Sequence, residues 1–211
     1  MRLRLSVDGG PQQHLYGRTV LVANVGMLVA GAVGVAGADI GATKAWNTTT
    51  GNKDILVAVI DTGVDYSHPD LRDNIYLNPG ESGEGRETNG LDDDGNGFVD
   101  DFHGWNFAGV STNDPMDDNE HGTHVAGILA AAANSVGITG VAPNVKIQPV
   151  RAMGTEGGTS ADLIAAINWA AGLSVPGVPL NPTPAKVINM SMGTSGISLC
   201  DDLPSLGRMG S

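Results

Sequence analysis

The chain has 211 residues, room for one medium domain with a real core and hardly for two. Its formal net charge of -12 is local: residues 81–120 hold twelve Asp and Glu against one base, Arg86, and the remainder is nearly neutral. No Lys/Arg cluster exists, which excludes a nucleic-acid face, and the single Cys200 excludes an intrachain disulfide framework.

In chain order, residues 1–36 form an amino-terminal segment, and an apolar run, Thr19 to Ala38, follows Arg18 and extends just past its end. Asn24 and glycines at 26, 31, 34 and 37 favour a glycine-rich loop there over a signal or membrane segment, so no membrane partner is expected. Ile55 to Ile60 is an unbroken apolar run closed by Asp61-Thr-Gly63, which predicts a strand buried on both faces with a carboxylate at its carboxyl end. Residues 78–120, rich in Gly, Asn and Asp, read as loop. A helix of small residues is predicted from His121 through Ala133, and Lys146–Val150 is the next strand, with Pro149 an obstacle to a central place in the sheet. Thr159 and Ser160 can cap a helix that Gly172 ends, and Val187–Met190 is a third strand. Strands alternating with helices at this spacing predict an α/β fold with a parallel sheet.

The acidic stretch has a pattern of its own. Asp92, Asp94 and Asn96 stand at alternate positions with Gly97 sixth, like the first half of an EF-hand loop. His103 occupies the twelfth position, where that loop has Glu, so Asp100 or Asp101 has to complete the shell. So many carboxylates repel one another unless a cation joins them, and Ca2+ is the expected one.

Three motifs carry more specific information: Ala58-Val-Ile-Asp61-Thr-Gly-Val-Asp65 with His68-Pro-Asp70, then His121-Gly-Thr-His124-Val-Ala-Gly127, then Val187-Ile-Asn-Met-Ser191-Met-Gly193. Together, over roughly residues 37–196, they resemble the subtilisin-like serine protease family. The resemblance implies a three-layer subtilisin-like fold with a central parallel sheet, here truncated, occupying residues 37–198 and followed by a divergent tail, 199–211. It implies that Asp61 and His121 are two members of an Asp-His-Ser triad for peptide-bond hydrolysis. Gly157 and Gly158 would line one side of an extended peptide substrate, and Ser191, Met192 and Gly193 the other. A second calcium site would use Asp70 and the loop 132–138, with Asn134 as its side-chain ligand. Secretion is expected from family habit.

The family's nucleophile lies in Gly-Thr-Ser-Met-Ala, and this chain has no such segment. Gly193-Thr-Ser195 copies three letters, but Gly196 follows and the tripeptide adjoins the substrate-binding strand, so it reads as chance. The expectation is a protease fragment, inactive as it stands; the competing reading is a non-catalytic calcium-binding or adhesion module on the same fold. His124 has neither the spacing nor the neighbouring Glu of a zinc helix and reads as an interior histidine.

Overall fold

A computed structural model describes residues 3–5, 13–15 and 40–193. The apolar run 19–38, Ser195 and the tail lie outside the described residues. Two short strands, β1 (Leu3–Leu5) and β2 (Gln13–Leu15), pair antiparallel, with Leu3 opposite Leu15. Then come α1 (Ala42–Ala45), β3 (Leu56–Asp61), β4 (Trp105–Asn106), α2 (His121–Ala130), β5 (Lys146–Arg151), α3 (Ser160–Ala170) and β6 (Val187–Asn189). Strands β4-β5-β3-β6 form one sheet in that order, every pair parallel.

Strand β3 is central and buried along its whole length, as a parallel strand covered on both faces must be. Its side chains divide between two cores. Val57 and Val59 pack with Val125, Ala126 and Ile147 beneath α2, while Ala58 and Ile60 pack with Leu163, Trp169 and Ile188 beneath α3. One helix on each face gives the three layers expected from the sequence. Among the described residues no helix is long and apolar enough to cross a membrane.

Three local readings need correction. Pro149 sits inside β5, opposite Val59. The amides of Lys146 and Ala152 donate to Ile55 and Asp61, so even-numbered residues of β5 face β3. Pro149 therefore turns its missing N–H the other way, toward β4, which begins only opposite Val150. Second, β4 lies within the segment read as loop, because two residues are too few for a periodic signal. Third, α2 stops at Ala130 rather than Ala133. There Ala132 N–H donates to the Asp70 carbonyl, and Gly140 N–H to that of Ala131, so tertiary partners replace the next helical turn.

The α3 boundary agrees with its signals. Thr159 and Asp162 form a reciprocal capping box, and Gly172 leaves the helix with φ +79°.

Gly104 fixes how closely β4 approaches β5: a Cβ there would stand 1.8 Å from the Pro149 carbonyl oxygen. Neither backbone can yield cheaply. Gly104→Ala is expected to lower stability by about 1–3 kcal/mol, read as a reduced urea midpoint at unchanged m-value.

Candidate active site

Asp61 ends β3 and His121 begins α2, so the sheet's carboxyl edge and a helix amino terminus bring them together. The Asp61 side chain is fully buried, whereas the His121 ring is 49% exposed. His121 Nδ1 lies 2.7 Å from Asp61 Oδ1, which also accepts the Thr62 N–H at 2.8 Å. A carboxylate can only accept, so Nδ1 carries the proton and the other ring nitrogen of a neutral imidazole, Nε2, is left with a lone pair. Such a nitrogen can take a proton from a hydroxyl while the carboxylate holds the ring's tautomer.

Gly122 makes the approach possible. A Cβ on it would fall 2.0 Å from the Gly63 carbonyl oxygen and 3.0 Å from Asp61 Cβ. Gly63, at φ +110°, turns the chain away beneath the helix, where a Cβ would strike the backbone of 115–117. His124 is exposed, not interior: the buried face of α2 is Gly122, Val125, Ala126 and Ala130.

The two stretches read as substrate-binding leave strands on either side of β3, since β5 and β6 are its neighbours. Gly157 bonds both ways with Gly154 in a tight turn, at φ +95°. Gly158 is exposed and lies against the Ala152 carbonyl, where a Cβ would come within 2.2 Å. On the other side, Ser191 Oγ accepts from Asn189 Nδ2, Met192 packs against the α3 core, and Gly193 is exposed.

In the acidic stretch, the structure gathers a different set from the alternating pattern. Carboxylate oxygens of Glu81, Asp94 and Asp101 lie within 4.8 Å of one another. Glu81 is fully buried and Asp101 nearly so, and one oxygen of each, Oε2 and Oδ1, has no hydrogen-bond partner. Asp92 instead accepts the amides of Asn96 and Gly97, and Asp100 that of Gly90. Asn96 gives its oxygen to the Phe98 amide and turns its Nδ2 to Asp101. Those three order the loop backbone, and Glu81, which sequence spacing missed, stands beside Asp94 and Asp101. Thirteen or more positions separate it from the other two acids, and the turn in which Glu81 N–H donates to the Asn78 carbonyl carries it back.

Asp70 lies against the loop 132–138. Its Oδ2 accepts the Ile138 amide, and its buried Oδ1 has no partner. Asn134 is exposed and its Oδ1 accepts the Val136 amide.

A sequence model of the subtilase family matches residues 52–208. The chain belongs to the subtilase family. It is 38% identical over 174 residues to an extracellular protease of Xanthomonas campestris pv. campestris, covering 78% of this chain and 28% of that protein. It is 36% identical over 170 residues to an extracellular basic protease of Dichelobacter nodosus, covering 74% and 26%. Among solved structures, a protease from Pseudoalteromonas arctica PAMC 21717 superposes with a TM-score of 0.56 at 34% identity, over 72% of this chain and 45% of that one. The chain thus spans little more than a quarter of the length of these curated relatives.

In this subtilase the buried Asp101 carboxyl of the acidic cluster resists ionisation. Burial pushes the Asp101 carboxyl up to about 6; the Asn96 hydrogen bond opposes this, and Asp94 and Glu81 reinforce it. An unfolded Asp titrates near 3.9, so between about pH 4 and 6 folding takes up a proton here. In chelator, the stability contributed by this group is therefore present below about pH 4 and lost as pH rises through about 6, by about 3 kcal/mol at most and less once solvent screening is allowed for. Thermal melts of wild type against Asp101→Asn over that range should show the difference; parallel pH profiles would contradict it.

Proposed function

We propose that this chain carries the acid and base of a secreted serine endopeptidase. Asp61 orients His121, and Nε2 of His121 takes the proton of a serine hydroxyl as it attacks a peptide carbonyl, then delivers it to the leaving amine. The observation that supports this most directly is the 2.7 Å contact between His121 Nδ1 and the buried Asp61 carboxylate. An extended substrate would run between Gly157-Gly158 and Ser191-Met192-Gly193, which leave the two strands flanking β3. Secretion is proposed because relatives are named extracellular proteases.

The nucleophile is a serine that the 211 residues do not present in the family's pattern. On this reading the chain by itself does not hydrolyse peptides, since triad members act as a unit. A fluorophosphonate probe should leave the 211-residue chain unlabelled and should label a version joined to a segment that carries the family's Gly-Thr-Ser-Met-Ala motif. Labelling at Ser195 would overturn the assignment. In the joined protein His121→Ala should lower kcat on the order of 10⁶, and Asp61→Asn about 10⁴, magnitudes carried over from serine proteases of this mechanism.

Calcium is proposed as the structural cation. Buried carboxylate oxygens of Glu81 and Asp101 without donors fit a hard ion, with Asp94 beside them. Bound there, the ion would neutralise the cluster and tie Glu81 to the distant acids. Asp70, with its own unpartnered oxygen against loop 132–138, is the second proposed position. Calcium at a hundredfold excess over its Kd should raise Tm by roughly 5–10 °C. Glu81→Gln should remove most of that response, and a melt indifferent to chelator would refute the proposal.

A further inference from the structure

The amino terminus of α2 lacks an ordinary cap. Its N-cap residue, Glu120, has φ +70° and supplies no side-chain hydrogen bond. Helix-opening amides need acceptors all the same, and here they come from outside the helix. Gly122 N–H donates to Thr62 Oγ1 at 2.9 Å, and Thr123 N–H to Asp117 Oδ2 at 2.9 Å.

Asp117 connects these two acceptors. Its Oδ1 accepts the Thr62 hydroxyl at 2.8 Å, and its Oδ2 accepts the Thr123 hydroxyl at 2.5 Å. The amides of Asn119 and Glu120 also donate to Oδ1, at 2.9 and 3.1 Å. A threonine hydroxyl has one proton and can turn it in several directions. By taking both protons, the carboxylate leaves lone pairs facing the opposite way. Thr62 then accepts from Gly122, and Thr123 accepts the Asp65 amide at 2.9 Å. Each of these bonds crosses between the exit of β3 and the start of α2. Thr62 adjoins Asp61 and Gly122 adjoins His121, so the Thr62–Gly122 bond runs one residue away from the Asp61–His121 contact.

We propose that Asp117 is a positioning residue: through the hydroxyls of Thr62 and Thr123 it sets the separation at which Asp61 meets His121. This rests on the reading of those two residues as triad members. Burial alone would push the Asp117 carboxyl upward, but the hydrogen bonds from Thr123, Asn119 and Thr62 outweigh it and leave it below the usual range. It therefore stays an acceptor at neutral pH. Arg151, bonded to the Met116 carbonyl and the Asp118 carboxylate, holds the segment carrying Asp117 against the end of β5.

The test follows the Nδ1 proton of His121 by NMR in the full 211-residue chain, with histidine labelled in its ring nitrogens. Wild type should show this proton, and Asp61→Asn should abolish it. Asp117→Ala should speed its exchange with solvent about tenfold or more, the loss expected when a charged acceptor is removed. Thr123→Val should do the same and Thr123→Ser should not. Thr159→Ala, which weakens α3 away from the site, should leave the rate unchanged, so a general loss of stability reads differently from a loss of positioning.

A folded Asp117→Ala chain with wild-type exchange would overturn the proposal. If circular dichroism shows that this variant does not fold, the Thr123 pair decides: equal rates for Val and Ser overturn it, and unequal rates in the stated direction uphold it. A wild-type chain with no Asp61-dependent proton would overturn this proposal and the triad reading together, an outcome distinct from either of the others.

Discussion

A carboxylate buried completely at the end of a central strand has to be met by hydrogen-bond donors, and the local chain supplies only the Thr62 amide. The second donor is His121, sixty residues on. Much of the fold's detail follows from bringing it there. Helix α2 must lie against β3 more closely than ordinary side chains permit, so Gly122 rests on the Gly63 carbonyl and the helix's buried face is otherwise alanine and valine. Gly63 must turn with positive φ so that the chain leaves beneath the helix. Both donors reach Oδ1, so the cost of burying Asp61, whose Oδ2 has no partner, is offset in part by a bond that also fixes the imidazole.

The parallel sheet gives this junction its place. All four strands run in one direction, so their carboxyl ends share an edge, and the segments after β5 and β6 emerge on either side of Asp61. Helices cover both faces of the sheet, and the buried Gln148 of β5 is satisfied there by Asn181. The Asp61–His121 pair stands at the rim, where β3 ends and α2 begins.

The acidic loop obeys a different constraint. Having no apolar core of its own, it folds by giving carboxylates and amides to nearby backbone N–H groups: Asp92 to Asn96 and Gly97, Asn96 to Phe98, Asp100 to Gly90. Those bonds neutralise no charge. They place Asp94 and Asp101 beside Glu81 and leave buried oxygens unmatched, which a protein interior tolerates poorly without a counterion.

Features that depend on neighbours along the chain were legible before folding: the β3 run and its terminal Asp61, the capping box at Thr159, the His121 motif, the parallel α/β class and the family. Pro149, the short β4 and the early end of α2 were not legible, because each is decided by a partner distant in sequence: the β4 edge, β5 and the Asp70 carbonyl. The same holds within the sites. Alternating acids suggested Asp92, Asn96 and Asp100 as ligands because spacing measures which side chains could converge. Folding then directs several of their oxygens to backbone amides and brings the buried Glu81 beside Asp94 and Asp101. Asp117 was invisible for the same reason: four residues before His121 it looks like any loop carboxylate, and its meaning comes from two threonines on different elements that folding brings to one side chain.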